Sequence, residues 1–155
     1  MTPMPSSPPA VPAFTLSPAS WRDLNALRAF EREVFPDDSW PLIDLIAVLT
    51  WPGVVRLKAV AGGSLVGFAS GDIREGVAWV TTIGVMPAFR RQGIAQALLE
   101  ACEHQMGLAR IRLCVRRSNL SAIRLYEKWG YRQVDTWRNY YNGGEDALVM
   151  EKIRL

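Results

Sequence analysis

Apolar residues near the start of the chain return every three or four positions: Leu24, Leu27, Phe30, Val34 and Phe35. That spacing predicts a helix with one buried face. Ser20 stands where its N-cap belongs, and Asp23 three residues on makes a shortened capping box. Pro36 to Ser39 breaks the pattern. Ser39 and Pro41 then open a second helix with Leu42, Leu45, Ile46 and Leu49 on its apolar side, closed by Trp51, Pro52 and Gly53. Upstream, Phe14 to Leu16 is a short first strand.

The period then changes to two. Val54 to Val60 alternates apolar residues with Arg56 and Lys58, Ala61 to Ser64 turns, and Leu65 to Ser70 returns as the next strand. Gly71 to Gly76 reads as another turn. Val77 to Val85 is the longest strand, apolar or small throughout, as for a central strand buried on both faces. From Gly93 to Met106 the helical period resumes. Ile94, Ala97, Leu98, Ala101 and Gln105 form one stripe, and Glu100, Glu103 and His104 fall on the other, which makes His104 a surface residue. Ile111 to Arg116 is a strand with Arg112, Cys114 and Arg116 on one side and Ile111, Leu113 and Val115 on the other. Asn119 to Trp129 is a helix ended by Gly130, with Ala122, Ile123, Tyr126 and Trp129 inward. Tyr131 to Trp137 and Ala147 to Ile153 close the chain as strands joined by a loop over 138–146.

This order predicts an α/β fold: a mixed central sheet of about seven strands with helices on both faces. The unit from 77 to 116 needs a parallel pairing through a right-handed crossover, and the meander before it is antiparallel. Residues 13–155 form a single domain. Residues 1–12, with five prolines and two serines, form a flexible leader.

Composition narrows the function classes. The 155 residues are 49% hydrophobic and 21% charged, with no apolar run long enough to span a membrane and no signal-peptide pattern at the start. Cys102 and Cys114 sit far apart in sequence, so reduced thiols in a cytoplasmic protein are expected. With His104 the sole histidine, no metal site is expected. The net charge of +3 is too small to argue by itself for a nucleic acid partner.

The candidate chemistry lies between the longest strand and the helix after it. Arg90, Arg91, Gln92 and Gly93 form a short basic loop that runs directly into a helix N-terminus. Inward-turned backbone N–H groups, the helix dipole and a glycine together make a phosphate grip.

Two motifs extend this reading. Arg90 to Ala95 matches the pattern Arg/Gln-x-x-Gly-x-Gly/Ala and follows Val85, Met86 and Pro87. Farther on stand Asn119, Ala122, Leu125, Tyr126, Gly130 and Tyr131 in the spacing of a second motif. With both, the chain resembles the GCN5-related N-acetyltransferases over roughly residues 13 to 155. Arg138 to Tyr141, Glu145 to Met150 and Val115 to Asn119 are similar to stretches of the ribosomal-protein alanine N-acetyltransferases within that family.

The resemblance implies transfer of an acetyl group from acetyl-coenzyme A to a primary amine, by direct attack in a ternary complex. The favoured acceptor is the α-amine of a protein N-terminus. It also implies a sheet splayed between its fourth and fifth strands, with the pantetheine arm between Ile83–Val85 and Cys114–Arg116. The coenzyme would rest on Ile83, Gly84, Val85, Arg90, Arg91, Gln92, Gly93, Ile94, Ala95, Asn119, Ala122 and Tyr126. Tyr126, a phenol protonated at neutral pH, is the candidate acid toward the departing thiolate. Thr81, Thr82, Tyr140 and Tyr141 are the candidate acceptor-binding residues, and Glu145 is a candidate proton relay. The glutamate that serves such enzymes as a base is replaced by Cys114, and a second glutamate site of the family holds Trp79. Cys114 is therefore weighed as a thiolate base or acetyl carrier, against a small residue that fills a β face.

The missing base bears on the acceptor. An α-amine titrates near pH 8, so about a tenth is neutral at pH 7, whereas neutralising a lysine amine there costs about 4–5 kcal/mol. A site lacking a dedicated carboxylate is better suited to an α-amine, or to another weakly basic amine. A small-molecule amine acceptor and an acetyl-coenzyme A-binding module without turnover stay open, as does the choice between monomer and homodimer.

Overall fold

The strands are β1 (Thr15–Pro18), β2 (Val55–Ala61), β3 (Ser64–Arg74), β4 (Val77–Val85), β5 (Arg110–Arg116), β6 (Arg132–Trp137) and β7 (Ala147–Ile153). The helices are α1 (Leu24–Val34), α2 (Leu42–Thr50), α3 (Ile94–Met106) and α4 (Leu120–Lys128). This computed structural model describes residues 2–4 and 13–155; the rest of the expected leader lies outside the described residues.

All seven strands form one sheet in the order β1-β2-β3-β4-β5-β7-β6. Every neighbouring pair is antiparallel except β4 with β5. Ser20 caps the turn that leads into α1, with its side chain on the Arg22 N–H and its own N–H on Asp23, so the expected capping box forms.

The sheet opens at a single extra residue. Ser70 of β3 pairs with Thr82 and its neighbour Gly71 with Val80, so Thr81 is a bulge in β4. A bulge bends its strand and leaves the extra residue unpaired. Side chains change phase there: Ala78 and Val80 join the core cluster that holds α3, and after the bulge Ile83 and Val85 lie against it. Meanwhile β5 stays in register with β7 along its whole length. The parallel β4–β5 pairing therefore ends at Val80 and Leu113. Residues 81–85 of β4 part from 114–116 of β5, the splay expected between the fourth and fifth strands.

Two apolar clusters sandwich the sheet. One gathers Leu57, Ala59, Val80, Ile94, Leu98, Ile111 and Leu113, with Ala122, Ile123, Tyr126 and Trp129 of the α4 segment packed against it. The other joins Leu27 and Phe30 of α1, Leu45, Val48 and Leu49 of α2, and Phe68 of β3.

Three sequence expectations are corrected. The turn expected from Gly71 shrinks to Glu75 and Gly76, because β3 continues to Arg74. Gly71 is a strand residue whose missing side chain makes room for α3, since a Cβ there would lie 2.7 Å from the Met106 sulfur. β4 is not buried on both faces: Trp79 and Thr81 are half-buried, because that stretch fronts a cavity. On α3 the buried side is Ile94, Leu98, Leu99, Cys102, Glu103 and Met106, and Gln105 is exposed. Glu103 goes inside because partners meet it there, accepting from the Tyr131 hydroxyl at 2.9 Å and the Lys152 ammonium at 3.2 Å. A buried carboxylate is tolerable when it is paired in this way.

Candidate active site

Two cavities meet where β4 and β5 part. The first, about 780 Å³, runs along the opening beneath α3 and α4. The second, about 770 Å³, lies between α2 and the 138–146 loop. Thr81, Cys114 and Tyr141 line both. A long thioester in the first cavity could thus meet an amine in the second at one point.

The first cavity collects most of the expected coenzyme residues. Ile83, Gly84, Val85, Arg90, Arg91, Gly93, Ile94, Ala95, Asn119, Ala122 and Tyr126 all line it. The loop before α3 has two residues at positive φ, Arg91 at 63° and Gly93 at 82°, on either side of Gln92. The first bond within α3 runs from the Ala97 N–H to the Gly93 carbonyl, which leaves the preceding N–H groups free to bind an anion. Arg90 turns its guanidinium back onto the Val85 carbonyl at 3.1 Å and so anchors this loop to β4. Gln92 does not line the cavity, and its Oε1 is buried without a partner among the described residues. Asn119 caps α4 by accepting the Ala122 N–H at 3.3 Å.

Tyr126 stands in this wall, its ring 6.1 Å from Trp129 and 6.0 Å from Tyr131. Burial pushes its phenol up to about 12, so it stays a proton donor at any physiological pH. Burial also pushes the Cys114 thiol up to about 11, against a small opposing pull from Arg74. At pH 7 only about one Cys114 in ten thousand is a thiolate.

The second cavity is walled by aromatic rings in series. Trp79 lies 5.5 Å from Trp137, Trp137 lies 5.4 Å from Tyr140, and Tyr140 lies 5.0 Å from Tyr141. Tyr140 is 54% exposed and Trp51 66%, so the mouth of this cavity opens to solvent. Thr81 bonds through its hydroxyl to Ser70 at 2.8 Å. Thr82, expected beside the acceptor, lines only the first cavity and is buried.

Glu145 lines neither cavity. Its carboxylate takes the Ser118 N–H and the Arg116 guanidinium, both at 2.8 Å, and those bonds hold it well below the usual range, at about 2. It is a clamp on the 138–146 loop.

The sequence reading missed Asp38 and Trp137 as part of this site, and it placed Arg116 at the opening without its partners. Asp38 and Arg116 join across the opening, and Trp137 continues the ring series from Trp79. The alternation of β5 had already set Arg116 on the same side as Cys114. Nothing in the local pattern pointed to Asp38.

Known proteins carry the same architecture. The chain matches the model of the acetyltransferase (GNAT) family over residues 21–131. An N-alpha-acetyltransferase of Saccharolobus solfataricus is 32% identical over 155 residues, covering 90% of this chain and 92% of that protein. N-alpha-acetyltransferase 20 of Dictyostelium discoideum is 38% identical over 112 residues; the match covers 66% of this chain and spans 64% of that protein's length. Among solved structures, the ribosomal-protein-S18-alanine N-acetyltransferase of Escherichia coli superposes with a TM-score of 0.82 at 29% identity, over 91% of this chain and 94% of that one. The splayed sheet, the free amides at the start of α3 and these matches agree: the chain belongs to the acetyltransferase (GNAT) family.

Proposed function

We propose that this protein transfers the acetyl group of acetyl-coenzyme A to the α-amine of a protein N-terminus, by direct attack in a ternary complex. The observation that carries the reading is the meeting of two cavities at Thr81, Cys114 and Tyr141, one along the sheet opening and one open to solvent beside Tyr140. The names of the relatives, which include N-alpha-acetyltransferases, support the same acceptor class.

The coenzyme's pyrophosphate rests on the free amides at the start of α3, and its pantetheine arm lies along 83–85 of β4 as a guest strand. Asn119 and Ala122 border that arm. Tyr126 gives its proton to the departing thiolate. The acceptor peptide enters past Tyr140 and Tyr141 and presents its amine near Thr81. An α-amine suits the site because about a tenth of it is already neutral at pH 7. Among the described residues no helix is long and apolar enough to cross a membrane. With its free cysteines, the protein is assigned to the cytoplasm. Residues 13–155 act as one catalytic domain behind a proline-rich leader.

The test is an acetylation screen of N-terminal peptides, lysine peptides and small amines, read by mass spectrometry. Modification of N-terminal α-amines is the expected result. Acetylation of lysine side chains alone overturns the acceptor assignment, and acetylation of small amines alone favours a small-molecule enzyme. Tight binding of acetyl-coenzyme A with no transfer to any amine leaves a binding module.

A further inference from the structure

Glu31 is buried in the wall of the coenzyme cavity with one oxygen unused. Glu31 is 2% exposed, and its Oε2 has no partner among the described residues. A buried, unpaired carboxylate oxygen is costly, and its presence asks for a reason.

Its position gives one. Glu31 lies one helical turn before Val34 and Phe35, and residues at that spacing share a helix face. That face rests on the opened half of β4: a Cβ on Gly84 would lie 2.9 Å from Val34 and 2.7 Å from Phe35. Glu31 thus shares the wall of the first cavity with Thr82, Cys114 and Tyr126, and Asp38, Trp40, Thr81 and Cys114 of that wall also line the acceptor cavity. β4 and β5 offer no carboxylate there, because Cys114 and Trp79 occupy the two positions where the family resemblance leads one to expect glutamate, and Asp72 of β3 lines only the acceptor cavity.

We propose that Glu31 takes the proton of the acceptor's α-ammonium, relayed through water in the cavity that it lines. This rests on the acetyl-transfer reading above. The ammonium gives one proton to the Glu31 carboxylate and becomes a neutral amine. Its nitrogen then forms the C–N bond to the thioester carbon, and the C–S bond breaks. The thiolate takes the Tyr126 proton, and the second proton lost by the nitrogen restores the phenol. Glu31 returns its proton to solvent, so each turnover yields an amide, a free thiol and one proton.

The surroundings suit this role. Burial pushes the Glu31 carboxyl up to about 7. An α-ammonium titrates near 8, so donor and acceptor lie within about one pH unit. From β5, Arg116 is taken up by Asp38 and Glu145, and Cys114 is a neutral thiol. From α4, Tyr126 is a neutral phenol and Lys128 lines the wall. From the loop before α3, Arg90 is held on Val85, with Arg91 beside it. Tyr141 completes the ring of titratable groups, its phenol raised by burial.

The test compares kcat/KM against pH for wild type and Glu31→Gln with an N-terminal peptide. Wild type is expected to show a limb set by a group near 7 as well as that of the amine. In the variant the limb near 7 disappears and kcat falls at least tenfold, while coenzyme A affinity stays within twofold. A wild-type rate and profile in the variant overturns the proposal, as does a parallel loss of rate and coenzyme affinity. A second measurement needs neither turnover nor the variant: carbon NMR titration of the glutamate carboxyls in wild type, with and without a coenzyme A–peptide bisubstrate. A carboxyl that titrates near 7 and responds to the bisubstrate is expected; none above 5 overturns the proposal. If wild type acetylates no peptide, the acetyl-transfer reading fails, and the titration still decides the state of Glu31.

Discussion

Arg116, at the end of β5, grips Asp38, 78 residues away in the α1–α2 loop, through Nε to Oδ2 at 2.6 Å and Nη2 to Oδ1 at 2.5 Å. Its Nη1 donates to Glu145 at 2.8 Å, and the guanidinium lies 4.6 Å from the Tyr141 ring centre. One flat, forked cation thus ties two loops beside the acceptor cavity to the splayed strand. Lysine keeps the charge and loses the fork. These contacts are partly exposed, so the expected loss in Arg116→Lys is about 1 kcal/mol. It should appear as a roughly fivefold higher KM for peptide with coenzyme A affinity unchanged, measured by steady-state kinetics and calorimetry. An unchanged KM would mean that the loops hold without Arg116.

Tyr126→Phe removes one hydroxyl and keeps the ring that packs on Trp129 and Tyr131. Loss of a general acid lowers kcat by about a hundredfold, with coenzyme A affinity within about twofold. Because the phenol is pushed to about 12, wild type should show no downward limb from this group below pH 10. Equal rates in wild type and variant would return Tyr126 to a packing role.

Cys114 is held as a thiol, at about 11. Its thiolate fraction at neutral pH is more than a hundredfold below that of an exposed cysteine. Alkylation by iodoacetamide should be slower by about that factor, and saturating acetyl-coenzyme A should slow it further. Cys114→Ser is expected to keep most of the activity. Rapid labelling, or an inactive serine variant, would show that the sulfur takes part in the reaction.

Gly84→Ala places a methyl group 2.7 Å from Phe35 and 2.9 Å from Val34. Those side chains must give way, at a cost of about 1–3 kcal/mol. The shift should also weaken coenzyme binding, since this face of α1 covers the opening. Urea unfolding and coenzyme titration are the checks. Wild-type stability would mean that α1 moves freely over β4.

Burial raises the Glu31 carboxyl from 4.5 to about 7 in the folded chain. Between those values the folded protein holds a proton that the unfolded chain has released. The Glu31 contribution to stability is therefore fully present below about pH 4.5 and is lost as the pH rises through about 7. Relative to Glu31→Gln, the melting temperature of wild type should fall by about 3 °C or more between pH 5 and pH 8. Parallel melting curves across that range would place the carboxyl in its ordinary range.

Local pattern carried most of the fold into view. The Val77 to Val85 strand was legible because its residues are apolar or small throughout and rich in β-branched side chains from a turn to Pro87, and the box of Ser20 with Asp23 needs no partner from afar. The coenzyme loop was legible for the same reason: Arg90 to Ala95 is a contiguous device. The errors fell where a distant segment decides. Gly71 reads as a turn until α3 is seen to press on it, and Glu103 reads as a surface acid until Tyr131 and Lys152 reach it from another part of the sheet.

The sequence by itself determined the order of elements, the mixed sheet and the loop that starts α3, because propensity, periodicity and glycine placement act over a few residues. Only the tertiary structure decided what surrounds the reacting atoms. The Thr81 bulge opens the sheet because β3 fixes the register on one side of β4 while β7 holds β5 on the other. Asp38 meets Arg116, Glu145 is withdrawn into a clamp, and Glu31 is buried in the wall of the first cavity. Each of these depends on segments tens of residues apart, brought together by packing that no local pattern encodes.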